Sequence, residues 1–218
     1  MVRIFPIIFI LLWSSAFITT KPIIDNSDPF TALAFRFFFV ALGFCLFSLY
    51  LNHSIIISHK NLLESVFSGV LFHGLYLGGV FYSISIGMPT GIAALIVTLQ
   101  PVLTNALSGP ILGERVTIKQ WIGVLLGFVG AALVLGFDIG SDIPFLGLVA
   151  TIVALIAITT STIWQKKLSN NLPLSVSNFY QALGGSFFHL LVIIIFADPY
   201  IDFNQTFIIA MSHQIFLV

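Results

Sequence analysis

The side chains able to do chemistry in this 218-residue chain sit inside apolar runs and recur at helical intervals. At about 100° per residue, His73, Tyr76 and Ser83 fall within about 80° of one another, with Gly69 beside them. Thr98, Pro101, Asn105 and Ser108 make a second stripe, Asn178, Gln181, Gly185 and His189 a third, and Trp13, Phe17 and Thr20 a fourth. Hydrocarbon disfavours such stripes, so the economical arrangement turns them toward a shared polar interior that can receive a solute. The alternative for a single Ser, Thr or Asn is a hydrogen bond to a neighbouring helix, contributing about 0.6–2 kcal/mol and lining no cavity. Covalent catalysis has no such support. The membrane histidines have no acidic partner, and neither G-x-S-x-G nor H-E-x-x-H occurs.

Arg36 is the one basic side chain placed inside a predicted span away from its immediate end. A charge at a helix centre costs about 2.5–3.5 kcal/mol on insertion scales, so its position needs a reason. Two readings stand. Six residues into its span, Arg36 can snorkel to the interface, or it can face the cavity as a fixed positive charge attractive to a carboxylate or phosphate. Since no Asp or Glu lies near the middle of a span, proton coupling would fall to His73 or His189, each of which reads equally as a neutral, hydrogen-bonded histidine. Pro101 removes a backbone donor and predicts a kink that frees a carbonyl.

The elements that must hold these residues follow from composition. Apolar residues make up 58% and charged residues 7%, against about 45–50% and 25% in ordinary globular chains. Eight basic and eight acidic side chains cannot cover a water-facing surface of this size, which excludes a soluble enzyme, a disordered chain and a nucleic-acid binder. The single cysteine, Cys45, excludes an internal disulfide and multi-cysteine metal motifs. The expectation is an all-α polytopic membrane protein, with the lipid bilayer as a partner.

A membrane-spanning helix needs about 20 mainly apolar residues. Seven stretches qualify: Ile4–Thr20, Phe30–Leu51, Leu62–Ile86, Gly91–Leu112, Lys119–Phe137, Pro144–Trp164 and Ser177–Ala197. The tail Phe207–Val218 begins an eighth span without completing it. Turn chemistry at Asp25-Asn26-Ser27-Asp28-Pro29, Asn52-His53, Met88-Pro89-Thr90 and Asp198-Pro199 separates them, and the loops are too short for a soluble domain. Arg3, Lys60, Arg115, Lys119, Lys166 and Lys167 fall on the side of the N-terminus, whereas Asp25, Asp28, Asp138, Asp142, Asp198 and Asp202 fall on the other. Basic residues near span ends favour the cytoplasm, so a cytoplasmic N-terminus is predicted.

Shifting the chain by 144 or 145 residues lays the sixth span over the first and the seventh over the second, with Arg36 near Tyr180 or Gln181. Five spans per copy is an odd number, so the second copy would enter from the opposite side, as in the inverted repeats of secondary transporters. Glycine pairs at four-residue spacing, Gly74/Gly78, Gly109/Gly113 and Gly123/Gly127, predict close helix approach. Gly127 and Gly130 suit either packing within the chain or a homodimer face.

The residues also resemble a known family. Trp13-Ser14-Ser15-Ala16-Phe17, Phe35-Arg36-Phe37, Gly91-Ile92-Ala93-Ala94-Leu95 with Gln100-Pro101, and Leu112-Gly113-Glu114-Arg115 with Gln120-Trp121-Ile122-Gly123 look like the EamA-type drug/metabolite transporter superfamily. The match covers the first repeat, residues 1–137, throughout; residues 144–218 match an incomplete second repeat mainly in layout. The resemblance implies ten helices in two repeats, residence in the plasma membrane, and alternating-access movement, often outward, of small metabolites such as amino acids, with no cofactor. Against that pattern about two and a half helices of the second repeat are missing, as in a partial sequence, a truncated gene product or half of something that pairs. The rival expectations are a truncated, non-transporting membrane protein and, more remotely, an intramembrane enzyme. The tentative substrate cavity comprises Trp13, Phe17, Arg36, His73, Tyr76, Thr98, Pro101, Asn105, Gln181 and His189.

Overall fold

A computed structural model of the chain describes residues 5–113, 117–135, 143–168, 172–196 and 198–217. In chain order the helices are α1 (Phe5–Ile24), α2 (Pro29–Tyr50), α3 (His59–Gly69), a π-helical stretch (Val70–Tyr76), α4 (Leu77–Ser85), α5 (Thr90–Val97), α6 (Gln100–Leu112), α7 (Ile118–Leu135), α8 (Phe145–Leu168), α9 (Leu174–Phe196) and α10 (Gln205–Phe216). Pro29–Tyr50, His59–Ser85, Thr90–Leu107, Phe145–Lys166 and Leu174–Phe196 are long and apolar enough to cross a membrane. The expected first and fifth spans appear as the shorter apolar stretches Ile10–Ile24 and Ile118–Gly130.

The helix boundaries have local causes. Asp28 caps α2, its carboxylate accepting from the Thr31 amide at 2.7 Å, and Pro29 supplies a preset first-turn φ. Thr117 and Gln120 cap each other's backbone amides at the start of α7, the reciprocal arrangement of a capping box. Asn204 caps α10 through the Phe207 amide at 2.9 Å. The turn between α4 and α5 passes through Gly87 at φ +98°, a conformation that a side chain would strain.

Two helices depart from the uniform 100° wheel. The third span is continuous from His59 to Ser85, but Val70–Tyr76 is π-helical, and i→i+5 bonding changes the phase between its halves. The fourth span is broken at Thr98–Leu99, one turn before Pro101, whose ring nitrogen cannot donate to the carbonyl of Val97.

Packing centres on the long helices: α2 lies against α9, α3 against α8 and α9, α4 against α8, and α10 against α1 and α2. The core runs through Ile23, Leu33, Phe37, Phe81, Ile158 and Phe207. Apolar side chains also cover the outside, with Ile194 79% exposed, as lipid-facing surface requires. The loops meet in groups. At one end the Asp28 amide donates to Tyr200 O at 3.1 Å and the Asp202 amide to Asn26 O at 2.8 Å. At the other end His53 Nδ1 lies 3.0 Å from Ser175 Oγ, and the Tyr180 hydroxyl donates to Ile55 O at 2.7 Å. Helices that alternate direction produce this segregation.

Close approaches replace side-chain volume between the helices. A Cβ on Gly69 would lie 2.0 Å from Gln181 O, and one on Gly185 2.4 Å from His73 Cβ. Gly74 and Gly78 face Phe188 and His189, as the spacing predicts. Around Gly123, Gly127 and Gly130, by contrast, a Cβ would meet nothing within 4 Å among the described residues.

Candidate functional site

A cavity of about 450 Å³ opens between α1, α2, the π-helical stretch, α4 and α10, within the roughly 300–1,000 Å³ typical of small-molecule sites. Trp13, Phe17 and Thr20 of α1 line it, with Arg36, Phe37 and Phe44 of α2, His73 and Tyr76 of the π-helical stretch, Phe81 of α4, Asn178 of α9 and Gln214 of α10. Its wall is mainly aromatic and aliphatic, with a few convergent polar groups.

Arg36 is 6% exposed and reaches the cavity rather than the interface, so the snorkelling arrangement is not the one adopted. Its Nη1 donates to Gln214 Oε1 at 2.8 Å, its guanidinium carbon lies 5.3 Å from the Phe37 ring centroid, and its Nε has no hydrogen-bond partner among the described residues. The same Gln214 holds α1, its Nε2 donating to Ala16 O at 3.1 Å, Thr19 Oγ1 at 3.0 Å and Thr20 Oγ1 at 3.3 Å. The amide is thereby oriented: a guanidinium can only donate, so it takes the carbonyl end and leaves the NH₂ end for α1.

A second polar knot lies between α3, α8 and α9, away from the cavity. Gln181 Oε1 accepts from Gln165 Nε2 at 2.9 Å and Ser68 Oγ at 3.3 Å, while Gln181 Nε2 donates to Ser177 Oγ at 2.9 Å. Ser161 completes it, donating to Ser68 O at 3.1 Å. Buried polar groups in such a setting must find partners, and these do.

Of the ten residues expected from sequence, the structure brings Trp13, Phe17, Arg36, His73 and Tyr76 together around the cavity. The others lie elsewhere. Gln181 is in the second knot. His189 is fully buried and pairs its Nε2 with His73 O at 2.9 Å, packed against Phe37 and Phe30. Thr98 is exposed and donates to its own helix at Leu95 O, Pro101 is exposed, and Asn105 is half-buried on α6, which packs on α8. The helix break turns this stripe away, and Gln100 is the residue that crosses to α8, reaching Thr162 Oγ1 at 3.1 Å. Ser83 is buried outside the cavity lining and donates to Val80 O at 2.8 Å, because the π-helical stretch separates its phase from that of His73. The side chain of Ser108, and Glu114, Arg115, Asp138 and Asp142, lie outside the described residues.

Gln214 is the member sequence reasoning missed. Its signal was present: an amide set within the apolar run Phe207–Val218 carries the same penalty in lipid that singled out the stripes. Among the described residues no group of three His, Cys, Asp or Glu is placed to hold a metal ion.

Comparison with known proteins agrees with this architecture. The family model of the EamA-like transporter family matches residues 3–136. An uncharacterized transporter, YvbV, of Bacillus subtilis is 26% identical over 166 residues, covering 71% of this chain and 53% of the relative. A probable amino-acid metabolite efflux pump of Salmonella typhimurium is 24% identical, covering 77% of this chain and 54% of its own length. A protein of the same description from Escherichia coli is 25% identical over 76% and 53%. The chain therefore spans about half the length of the curated relatives it matches. A solved crystal structure shares the fold at a TM-score of 0.75 and 20% identity, over 94% of this chain and 71% of that one.

Proposed function

The chain belongs to the EamA-like transporter family, and on that premise we propose that it works in the outward movement of small metabolites, amino acids among them, across the plasma membrane by alternating access. The observation that carries this reading is the aromatic-walled cavity with one buried cation, enclosed between helices rather than at a loop surface. The amino-acid class is taken from what the Salmonella and Escherichia relatives are described as exporting.

Alternating access needs two halves that rearrange about a fixed site. The proposed halves are residues 1–137, with five spans, and residues 144–218, with two spans and the start of a third. The two polar knots support this division. An offset of 145 residues carries Ala16 to Ser161, Thr20 to Gln165 and Arg36 to Gln181, and carries Ser68 to within one residue of Gln214. Residues that meet in one knot thus have counterparts that meet in the other. The helix contacts follow the same rule, α1 on α10 corresponding to α8 on α3, and α2 on α10 to α9 on α3. In this scheme the N-terminus is cytoplasmic.

Counterflow in proteoliposomes tests the reading. Vesicles carrying the purified chain and loaded with unlabelled amino acids should take up labelled amino acids faster than protein-free vesicles. Uptake indistinguishable from protein-free vesicles for every amino acid tried would leave a membrane protein that does not transport them.

A further inference from the structure

We propose that Arg36 and Gln214 form a binding site for a single carboxylate, in which the side-chain carbonyl of Gln214 stands in for the ligand when the site is empty. The proposal takes its biological meaning from the transporter reading, but it concerns binding and can fail or hold separately.

The argument begins with charge. A guanidinium removed from water is retained at a cost unless an anion and further hydrogen bonds compensate it. Arg36 is nine-tenths buried, and its partner among the described residues is a neutral amide, with Nε left unpartnered. Among the described residues the cavity lining contributes no Asp or Glu and no second Lys or Arg. One uncompensated positive charge therefore faces a space large enough for a small molecule. A monoanion brings the site to neutrality, whereas a dianion leaves an excess negative charge in the same apolar surroundings.

Shape agrees with charge. A planar guanidinium is the geometric complement of a carboxylate, which accepts through two oxygens at once. Gln214 Oε1, at 2.8 Å from Nη1, occupies the place of one such oxygen and has no second to offer the guanidinium. A ligand carboxylate can replace it and accept from the paired Nη1–Nη2 edge through both oxygens. Trp13, Phe17 and Tyr76 of the same cavity then receive an apolar body attached to that carboxylate.

Replacement also has a mechanical side. The Gln214 amide ties α10 to Ala16, Thr19 and Thr20 of α1. Moving its carbonyl off Arg36 frees the side chain that joins these helices, so occupancy and the α1–α10 contact are linked through one residue.

Calorimetric titration of the purified chain with phenylacetate, phenylacetamide and phenyl phosphate tests this, since the three share a ring and differ in charge. Phenylacetate should bind at least about tenfold more tightly than either of the others, the advantage of a charge-assisted pair over a neutral one. Arg36→Gln should remove that preference and Arg36→Lys retain part of it. Gln214→Ala should tighten phenylacetate binding several-fold by removing the competitor. Gln214→Glu, which tethers a carboxylate to Arg36, should abolish phenylacetate binding while melting no lower than the parent, so that loss of fold is not mistaken for occlusion. Equal affinity for the amide, tighter binding of phenyl phosphate, absence of phenylacetate binding, or undiminished binding in Gln214→Glu would each overturn the proposal. The expected binding pattern alongside failed counterflow would leave this site standing and remove the transport reading instead.

Discussion

Replacing Gly69 with alanine puts the helix packing to a quantitative test. The added Cβ would lie 2.0 Å from Gln181 O, 2.5 Å from its Cα and 2.6 Å from its carbonyl carbon, all backbone atoms that no rotamer change can move. To reach the 3.4 Å of ordinary contact, α9 must withdraw from α3 as a body. Overpacking of this type costs about 1–3 kcal/mol. The withdrawal also breaks the bonds from Ser68 and Gln165 to Gln181, at about 0.6–1.7 kcal/mol each for interhelical hydrogen bonds in membranes. The expected loss is about 2–6 kcal/mol, offset by no more than the roughly 1 kcal/mol that alanine gains over glycine in a helix. Gly127→Ala is the control, because a Cβ there meets nothing within 4 Å among the described residues and the propensity gain stands alone. Reversible unfolding of the purified protein in mixed micelles of rising SDS fraction, followed by circular dichroism, reads both. The packing argument is refuted if Gly69→Ala unfolds within about 0.5 kcal/mol of the parent, the scatter expected of an inconsequential surface change. Destabilisation by Gly127→Ala would instead mean that this face is covered.

His189→Ala should lower the unfolding free energy by about 2–4 kcal/mol, combining a core void with an unpaired His73 carbonyl, yet leave phenylacetate affinity within about twofold, since His189 is outside the cavity lining. Thermal melts and the same titrations measure the two effects. For orientation, in a Cys45→Ala background a membrane-impermeant maleimide added to intact cells should label Tyr200→Cys and spare Ser54→Cys, both positions being exposed; labelling in the reverse pattern would place the N-terminus outside.

What could be read from sequence depended on whether a helix obeyed the ideal wheel. The first-span stripe did: Trp13, Phe17 and Thr20 are all in the cavity wall, because α1 is regular over that stretch. The α9 stripe also faces inward, but its members divide their tasks, with Asn178 at the cavity, Gln181 in a knot and His189 on a backbone carbonyl. Periodicity reports which face is buried and is silent on what meets it. In the third and fourth spans the wheel itself failed, through the π-helical stretch and through Pro101. The first leaves little trace in residue types. The second was visible as a kink, but its effect on where Thr98 and Asn105 point is a tertiary matter. Gln214 could be singled out as an amide within an apolar run, but not its pairing with Arg36, because that partner lies 178 positions away, a separation that no local pattern spans.

The π-helical stretch has a consequence for how the chain tolerates changes of length. A turn closed by i→i+5 bonds holds more residues than an α turn, so Val70–Tyr76 contains slack that a single deletion would absorb by reverting to plain α-helix. The helix would survive with α3 and α4 in nearly the same relative phase, because the wider turn holds the one residue that an α-helix would not. Ser68 and Gly69 would then keep their places against α9, as Phe81 and Ser83 would in α4. In the regular helix on either side the same deletion would turn everything beyond it by about 100°, so the tolerance for losing a residue is confined to this segment.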